Sequence, residues 1–344
     1  CTTNLPDPTI ADGSTAFEAR TYDGVSGASS QTGYKFSPDF VWIKRRNSTN
    51  NHTLTDSVRG AGYILQSHNT NAEIDNTAYF TGFTSDGFSF GTDGGDTDAA
   101  GGTYVAWAWD AGSSTVSNTD GSITSSVRAN QTAGFSIVSY TGSGTANDSI
   151  GHGLNAAPEL IICKNRDSAY GWRTLTTVID GSLDRVFLQQ TDGAVDQATA
   201  NVPTSSVFYV ATNLDNNKSG DDIIAYCFTS VDQYSRIGVY TGNGSADGPF
   251  VFTGHRSQFL LVKQSSASGE DWWIVDTARE TFNVQDQILL PNSNNSEITT
   301  SNPIVDILSN GFKLRNANAR FNGSGATYLF ASFASHPFKT ARAR

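Results

Sequence analysis

Methionine is absent from the 344 residues, and only 16% of positions carry charge. Leucine is sparse as well, so the residues that favour helix are in short supply and a helical fold is not expected. No run of 18 or more apolar residues occurs, which excludes a membrane-crossing helix, and no signal-peptide pattern is visible. The three cysteines, Cys1, Cys163 and Cys227, cannot close a disulfide set; two lie in the apolar runs LIICK and IIAYCF, where a thiol acts as a small hydrophobe. The five histidines, His52, His68, His152, His255 and His336, are scattered and show no zinc-ligand spacing. His152, in Gly-His-Gly, reads as a turn residue whose ring caps a neighbouring strand. Basic residues are outnumbered 33 to 22, and the net charge of −11 repels phosphate backbones and anionic headgroups. Neither nucleic acid nor membrane insertion is expected. The basic tail 339–344, with Lys339, Arg342 and Arg344, reads as a solvated or docking segment. A chain that begins at Cys1 and holds no Met reads as processed, or as part of a longer polypeptide.

What is abundant is Gly (33 residues) together with Ser, Thr and Asn, and the apolar content comes largely from Val, Ile, Tyr, Phe and Trp. These are the residues of short strands and tight turns. Self-comparison finds one unit three times. An aromatic–x–Gly marker appears as Tyr22-Asp23-Gly24, Tyr140-Thr141-Gly142 and Tyr240-Thr241-Gly242. An apolar run ending in Lys follows: FVWIK to Lys44, LIICK to Lys164 and FLLVK to Lys263, which lie 22, 24 and 23 residues after the Tyr. Each unit closes with a strongly β-forming stretch, TYVAWAW, DIIAYCF and TYLFASF, starting 59, 58 and 64 residues after that Lys.

The expected organisation is a lead-in over 1–16, a module over 17–109, a Ser/Thr/Gly-rich linker over 110–134, and modules over 135–231 and 234–338. With antiparallel hairpins and no helix to cover a sheet face, each module must bury one sheet on another. The fold class is therefore all-β: three tandem antiparallel β-sandwich, jelly-roll-like modules of about 100 residues. The linker composition allows the first module a more variable angle than the other two, which almost abut.

Several strings in order, NLPDPTIADGS, FSPDFVWIKRRN, LTDSVRG, TDGSITSSVRANQTAGFSIVSYTG, HGLNAAPELIICKNRD, YTGNGSADGPFVFTG, LSNGFKLR and PFKTARAR, carry a resemblance that covers nearly the whole chain. It resembles a module of unknown function found in tandem at the C-terminal ends of structural proteins of marine, cyanophage-like tailed phages. The resemblance implies a non-enzymatic virion component on the particle surface, in tail fibre or capsid decoration, with other virion proteins as partners. By analogy with other viral appendages it implies a homo-oligomer, a trimer, with a role in host attachment. It brings no catalytic residues. The third copy departs from its siblings with Ser257 where they have Pro38 and Pro158, and Gln264 where they have Arg45 and Asn165.

Trp172, Trp272 and Trp273 follow the Lys marker by eight to ten residues and are the candidates for an aromatic platform under a sugar ring of a host-surface glycan. Because neighbouring strand residues point to opposite faces, one of Trp272 and Trp273 is expected to face outward. A polysaccharide depolymerase would need paired carboxylates, for which Asp180 with Asp184, or Glu270 with Asp271, are the candidates. Asp93, Asp96 and Asp98, and Asp215, Asp221 and Asp222, offer oxygen ligands to Ca²⁺. The third copy has Asn316, Asn318 and Asn322 at the comparable turn, so turn formation explains all three copies, and no cofactor is expected.

Overall fold

The computed structural model describes residues 4, 6–92, 94–197 and 200–340. Within them the chain is all-β with several antiparallel sheets, and the only α-helices among the described residues are Leu214–Asn217 and Ala319–Asn322. One four-strand order recurs three times. It is Phe17–Asp23, Thr103–Trp109, Phe40–Arg45, Thr53–Asp56 in the first copy. In the second it is Phe135–Thr141, Asp222–Phe228, Leu160–Asn165, Arg173–Thr176, and in the third Ser235–Thr241, Thr327–Pro337, His255–Gln264, Trp273–Asp276. The closing stretch is thus central in each sheet, flanked by the Tyr strand and the Lys strand. A smaller sheet lies over each: Ser29–Gln31, Gly87–Phe90 and Phe80–Thr84 in the first copy, Asp148–Gly151 with Val207–Val210 in the second, and Phe250–Phe252, Gly311–Leu314 and Val305–Leu308 in the third.

The strand residues explain why. The Lys strands are unbroken apolar runs, the pattern of a strand covered on both faces. Val41 and Ile43 point into the first copy's own interior; Ile161 and Cys163, and Leu260 and Val262, do so in the others. The alternate set, Phe40 and Trp42, Leu160 and Ile162, Phe259 and Leu261, points the other way into one core that all three copies share. Trp109, Phe228 and Phe333, the last residues of the three central stretches, meet there: Trp109 lies 6.4 Å from Phe228 and 5.6 Å from Phe333, and Phe228 lies 5.6 Å from Phe333. Phe40 of the first copy stacks on Tyr226 of the second at 4.2 Å. The void left at the centre is only about 20 Å³. The copies therefore form one body, and the first does not hang at a variable angle.

The segment 110–134 is a correction to the expected linker. Thr115–Asn118 and Ser125–Asn130 pair as a hairpin, and the second of these strands pairs with Phe135–Thr141, extending the second copy's sheet. Its Ser/Thr-rich composition hides a β-forming alternation in which Val127 is buried and Arg128 holds Asp39 of the first copy at 2.7 Å. Ser257 has a consequence too. Where the siblings' Pro lacks an N–H for the ladder, the third copy's strand starts earlier, pairing His255 with Pro337 and Ser257 with Ala334. Cys163 and Cys227 are buried free thiols in the second copy's interior, and Cys1, Arg342 and Arg344 lie outside the described residues.

The joints between copies run in a ring. A buried ring N–H follows the Lys marker in each copy and donates to a carbonyl of the next: Trp172 Nε1 to Gln66 O at 2.9 Å, Trp272 Nε1 to Phe187 O at 3.0 Å, and His52 Nε2 to Leu290 O at 3.0 Å. His52 donates from Nε2 because its Nδ1 accepts from Trp42 Nε1 at 2.9 Å, and burial lowers its pKa and keeps the ring neutral. Two joints also hold a buried ionic chain. Arg166 grips Glu73, which binds Arg59, which binds Asp56, whose Oδ2 accepts from Tyr226 at 2.8 Å. Arg46, Glu297, Arg279, Asp276 and Trp107 repeat the arrangement between the first and third copies. At the third joint the matching positions are Ser265, Ala194, Ile179, Thr176 and Ala331, and only the backbone bond from Ala194 N to Ser265 O remains, at 2.7 Å.

A buried ionic chain is costly to break and cheap to replace as a whole. Arg59→Ile alone is expected to destabilise the fold by about 3–5 kcal/mol, because buried Asp56 loses its counter-charge and Glu73 keeps only Arg166. Converting the four charged positions of the joint to the third joint's residues, Asp56→Thr, Arg59→Ile, Glu73→Ala and Arg166→Ser together, with Tyr226 kept, is expected to recover most of that loss. Urea unfolding of the two variants is the measurement, and a quadruple variant no more stable than the single one contradicts the expectation.

Candidate functional site

The tryptophan platform does not exist. Trp172, Trp272 and Trp273 are each 1% exposed or less. The expectation that one of the adjacent pair faces outward is corrected by the shared core: the two do point to opposite faces, but Trp272 enters the common core and Trp273 the third copy's own interior. Trp172 likewise lies in the common core.

The markers found in the sequence are structural devices. Tyr22, Tyr140 and Tyr240 each donate a hydroxyl hydrogen at 2.7 Å, to Thr97 O, Asn216 O and Phe321 O. The following glycines close against backbone at this point: a Cβ on Gly24, Gly142 or Gly242 would stand 2.2–2.3 Å from a carbonyl oxygen. Asp98, Asn217 and Asn322 then pin the turn by accepting from Val25 N, Ser143 N and Asn243 N at 2.8–3.1 Å. These bonds reach across 73–79 residues; the local Asx turn is seen at Asn316 and Asn318, which accept from Asn318 N and Arg320 N at 2.9 Å. Asp96 is engaged by Asn50 and Asn51, and Asp221 by Asn165 and Ser168, while Asp93 lies outside the described residues. No group of three or more His, Cys, Asp or Glu is placed to hold a metal among the described residues.

Lys44, Lys164 and Lys263 are fully buried on the common-core side of their strands. Each ammonium donates to the carbonyl of its own next residue, at 2.7–2.9 Å. Lys164 also reaches Thr70 O of the first copy at 3.3 Å and Lys263 reaches Thr191 O of the second at 3.1 Å. Burial pulls all three down to about 8.

The two candidate carboxylate pairs lie in different copies. Asp271 is held by Arg320 and Asn292, and Glu270 lies near Arg320. Asp184 is buried, and burial, with Asp180 and Asp196 as like-charged neighbours, lifts it to about 6, while hydrogen bonds from Ser182 lower Asp180. Carboxylates with divergent affinities for protons resemble an acid–base pair, but a buried Asp184 gives a polymer no approach. His152 is satisfied in its turn, accepting from Leu154 N at Nδ1 and meeting Thr204 O at Nε2. Lys339 pairs with Asp7 at 2.6 Å.

One cavity was not legible in the sequence. It is about 280 Å³ in volume and opens between the two sheets of the second copy, bordered by Arg173, Leu175, Leu183, Tyr209 and Asn216.

The titrations carry two expectations. An unfolded lysine titrates near about 10.4, so between about pH 8 and 10 the unfolded chain binds more protons than the folded one and stability rises with pH. The rise is on the order of 2 kcal/mol per lysine, and it ends where the buried tyrosines, whose folded pKa values are raised, begin to favour unfolding. Urea midpoints at pH 7.5 and 9.5 measure it, and Lys44→Met is expected to flatten the slope. Asp184 has the opposite sign: folding holds its proton more tightly, so stability falls as pH rises from about 4 to about 6. Asp184→Asn is expected to raise the melting temperature at pH 7, by roughly 1 kcal/mol of stability after screening, and to leave it unchanged at pH 4.

No curated protein and no solved structure matches the chain. A family described as a domain of unknown function (DUF7483) matches residues 12–337, a span that takes in all three copies, and the chain belongs to that family.

Proposed function

We propose that the chain is a non-enzymatic structural component of a tailed-phage particle, in tail fibre, appendage or capsid-surface decoration, working through assembly contacts with other virion proteins and in host attachment. The observation that carries this reading is the shared core, in which three like sheets are locked in a ring by cyclic hydrogen bonds and by two buried ionic chains. The core residues are committed to rigidity, and three similar outer sheets are left to make contacts. The motif resemblance to tandem modules of marine phage structural proteins supports the same reading. In this proposal the trimeric arrangement expected of three chains is met inside one, and further copies join through the outer sheets.

The expected result is that peptides of this chain occur in purified particles and that a density map of the particle places it on the tail or shell. Light scattering on the isolated chain is expected to give a single-chain mass at low concentration. Absence from purified particles would end the proposal.

A further inference from the structure

From the cavity in the second copy we infer a binding site for a single sugar ring, with preference for one bearing a carboxylate, a hexuronate. The inference goes beyond the structural role, and it stands on a comparison of the three copies at two equivalent positions. Strand register makes Thr53, Arg173 and Trp273 equivalent, since each opens the fourth strand of the recurring order, opposite the residue before the buried lysine. The tyrosine hydroxyl bond makes Thr97, Asn216 and Phe321 equivalent.

In the third copy these positions hold Trp273 and Phe321, whose rings meet edge to face at 5.2 Å and fill the space between the sheets. In the second copy Arg173 and Asn216 replace both rings, and a cavity of about 280 Å³ stands open at that place. Its size is near the lower end of the roughly 300–1,000 Å³ of small-molecule clefts, which suits one ring and not a larger ligand.

The lining matches a sugar in chemistry. Asn216 is 1% exposed and borders the cavity, and its Oδ1 has no hydrogen-bond partner in the protein; a donor met by a turn of the amide toward the cavity would satisfy it. Arg173 is fixed through Nε to Asp215 at 2.6 Å, which orients its planar fork at the cavity wall. Leu175, Leu183 and Val210 supply apolar surface for the C–H face of a ring. Arg185 stands opposite Leu175 in the ladder, 4.5 Å over the Phe187 ring, and Arg173 lies 5.6 Å from the same ring. Asp215 and Asp192 both act on this pair of guanidinium groups, so what favours a carboxylate is the planar fork of Arg173, which matches one in two parallel bonds.

The test uses the full chain in isotope-labelled form, titrated with D-glucuronate, D-galacturonate, D-glucose, D-galactose and D-mannose, with acetate as a control carboxylate. The expected result is millimolar binding of at least one hexuronate, tighter than acetate, with shifts concentrated at Leu175, Leu183 and Tyr209. Asn216→Phe, which imports the third copy's ring, is expected to weaken that binding by about tenfold or more. Binding that survives Asn216→Phe, shifts centred elsewhere, affinity for acetate equal to that for the sugars, or no response to any probe at tens of millimolar would each overturn the inference. The location of the shifts in the wild-type chain decides the matter even where Asn216→Phe does not fold.

Discussion

Each of the three main sheets has to bury both of its faces. One face closes on a smaller sheet within the same copy, as in any sandwich; the other closes on the faces of the two sibling copies. The alternating register makes this feasible, because successive residues of one strand serve two different cores: Val41 and Ile43 the private one, Phe40 and Trp42 the common one. It also makes the copies interdependent, since an exposed patch carrying Phe40, Trp109, Phe228, Phe259 and Phe333 would be an association surface on any copy standing alone.

The rim of the common core has to satisfy polar groups that the packing buries. Backbone carbonyls of neighbouring loops end there, and the structure supplies donors that cross the joint: indole or imidazole N–H groups, and the ammonium groups of Lys164 and Lys263. Burying an ammonium is unfavourable unless its hydrogen bonds are met, and the carbonyl cages of Lys164 and Lys263 meet them. The ionic chains at two joints do similar work with charge. The third joint shows that they are dispensable, as small and apolar residues occupy the same five positions without opening a gap in the ring. A buried ion pair is weak evidence of net stability, since its desolvation offsets much of its attraction.

Much of the fold was legible because its signals are local. Strand periodicity, the Tyr-x-Gly marker, the Lys-terminated runs and the turn residues are all patterns written within a few residues, although the bonds that the Tyr hydroxyls and the lysines make reach 72–94 residues along the chain. What was not legible lies between copies. The alternation rule assigns Trp272 and Trp273 to opposite faces correctly, but it cannot tell that a sibling sheet waits beyond the outer one. Arg46 and Glu297 are 251 residues apart, so no spacing rule joins them. The hairpin in 110–134 was masked by composition, since Ser and Thr serve a solvent-facing strand as readily as a linker; only Val127 and its partner Val138 mark an inner face.

The two residues that follow one another in each copy, 52 and 53, 172 and 173, 272 and 273, show how one constraint shapes divergence. The first of each pair points at the common core and must place a ring N–H on a sibling's carbonyl, so only His52, Trp172 and Trp272 appear. The second points into a private interior that answers to nothing but its own copy, and there Thr53, Arg173 and Trp273 differ in size, polarity and charge. The partner position across that interior, Thr97, Asn216 or Phe321, has changed with it. Where the pair is Trp273 and Phe321 the interior is filled and contributes packing; where it is Arg173 and Asn216 the same volume is open, at the cost of a buried acceptor with no partner in the protein. A fold held by its common core can carry that cost in one copy of three, and novelty in such a repeat is therefore to be sought on the faces turned away from the shared axis.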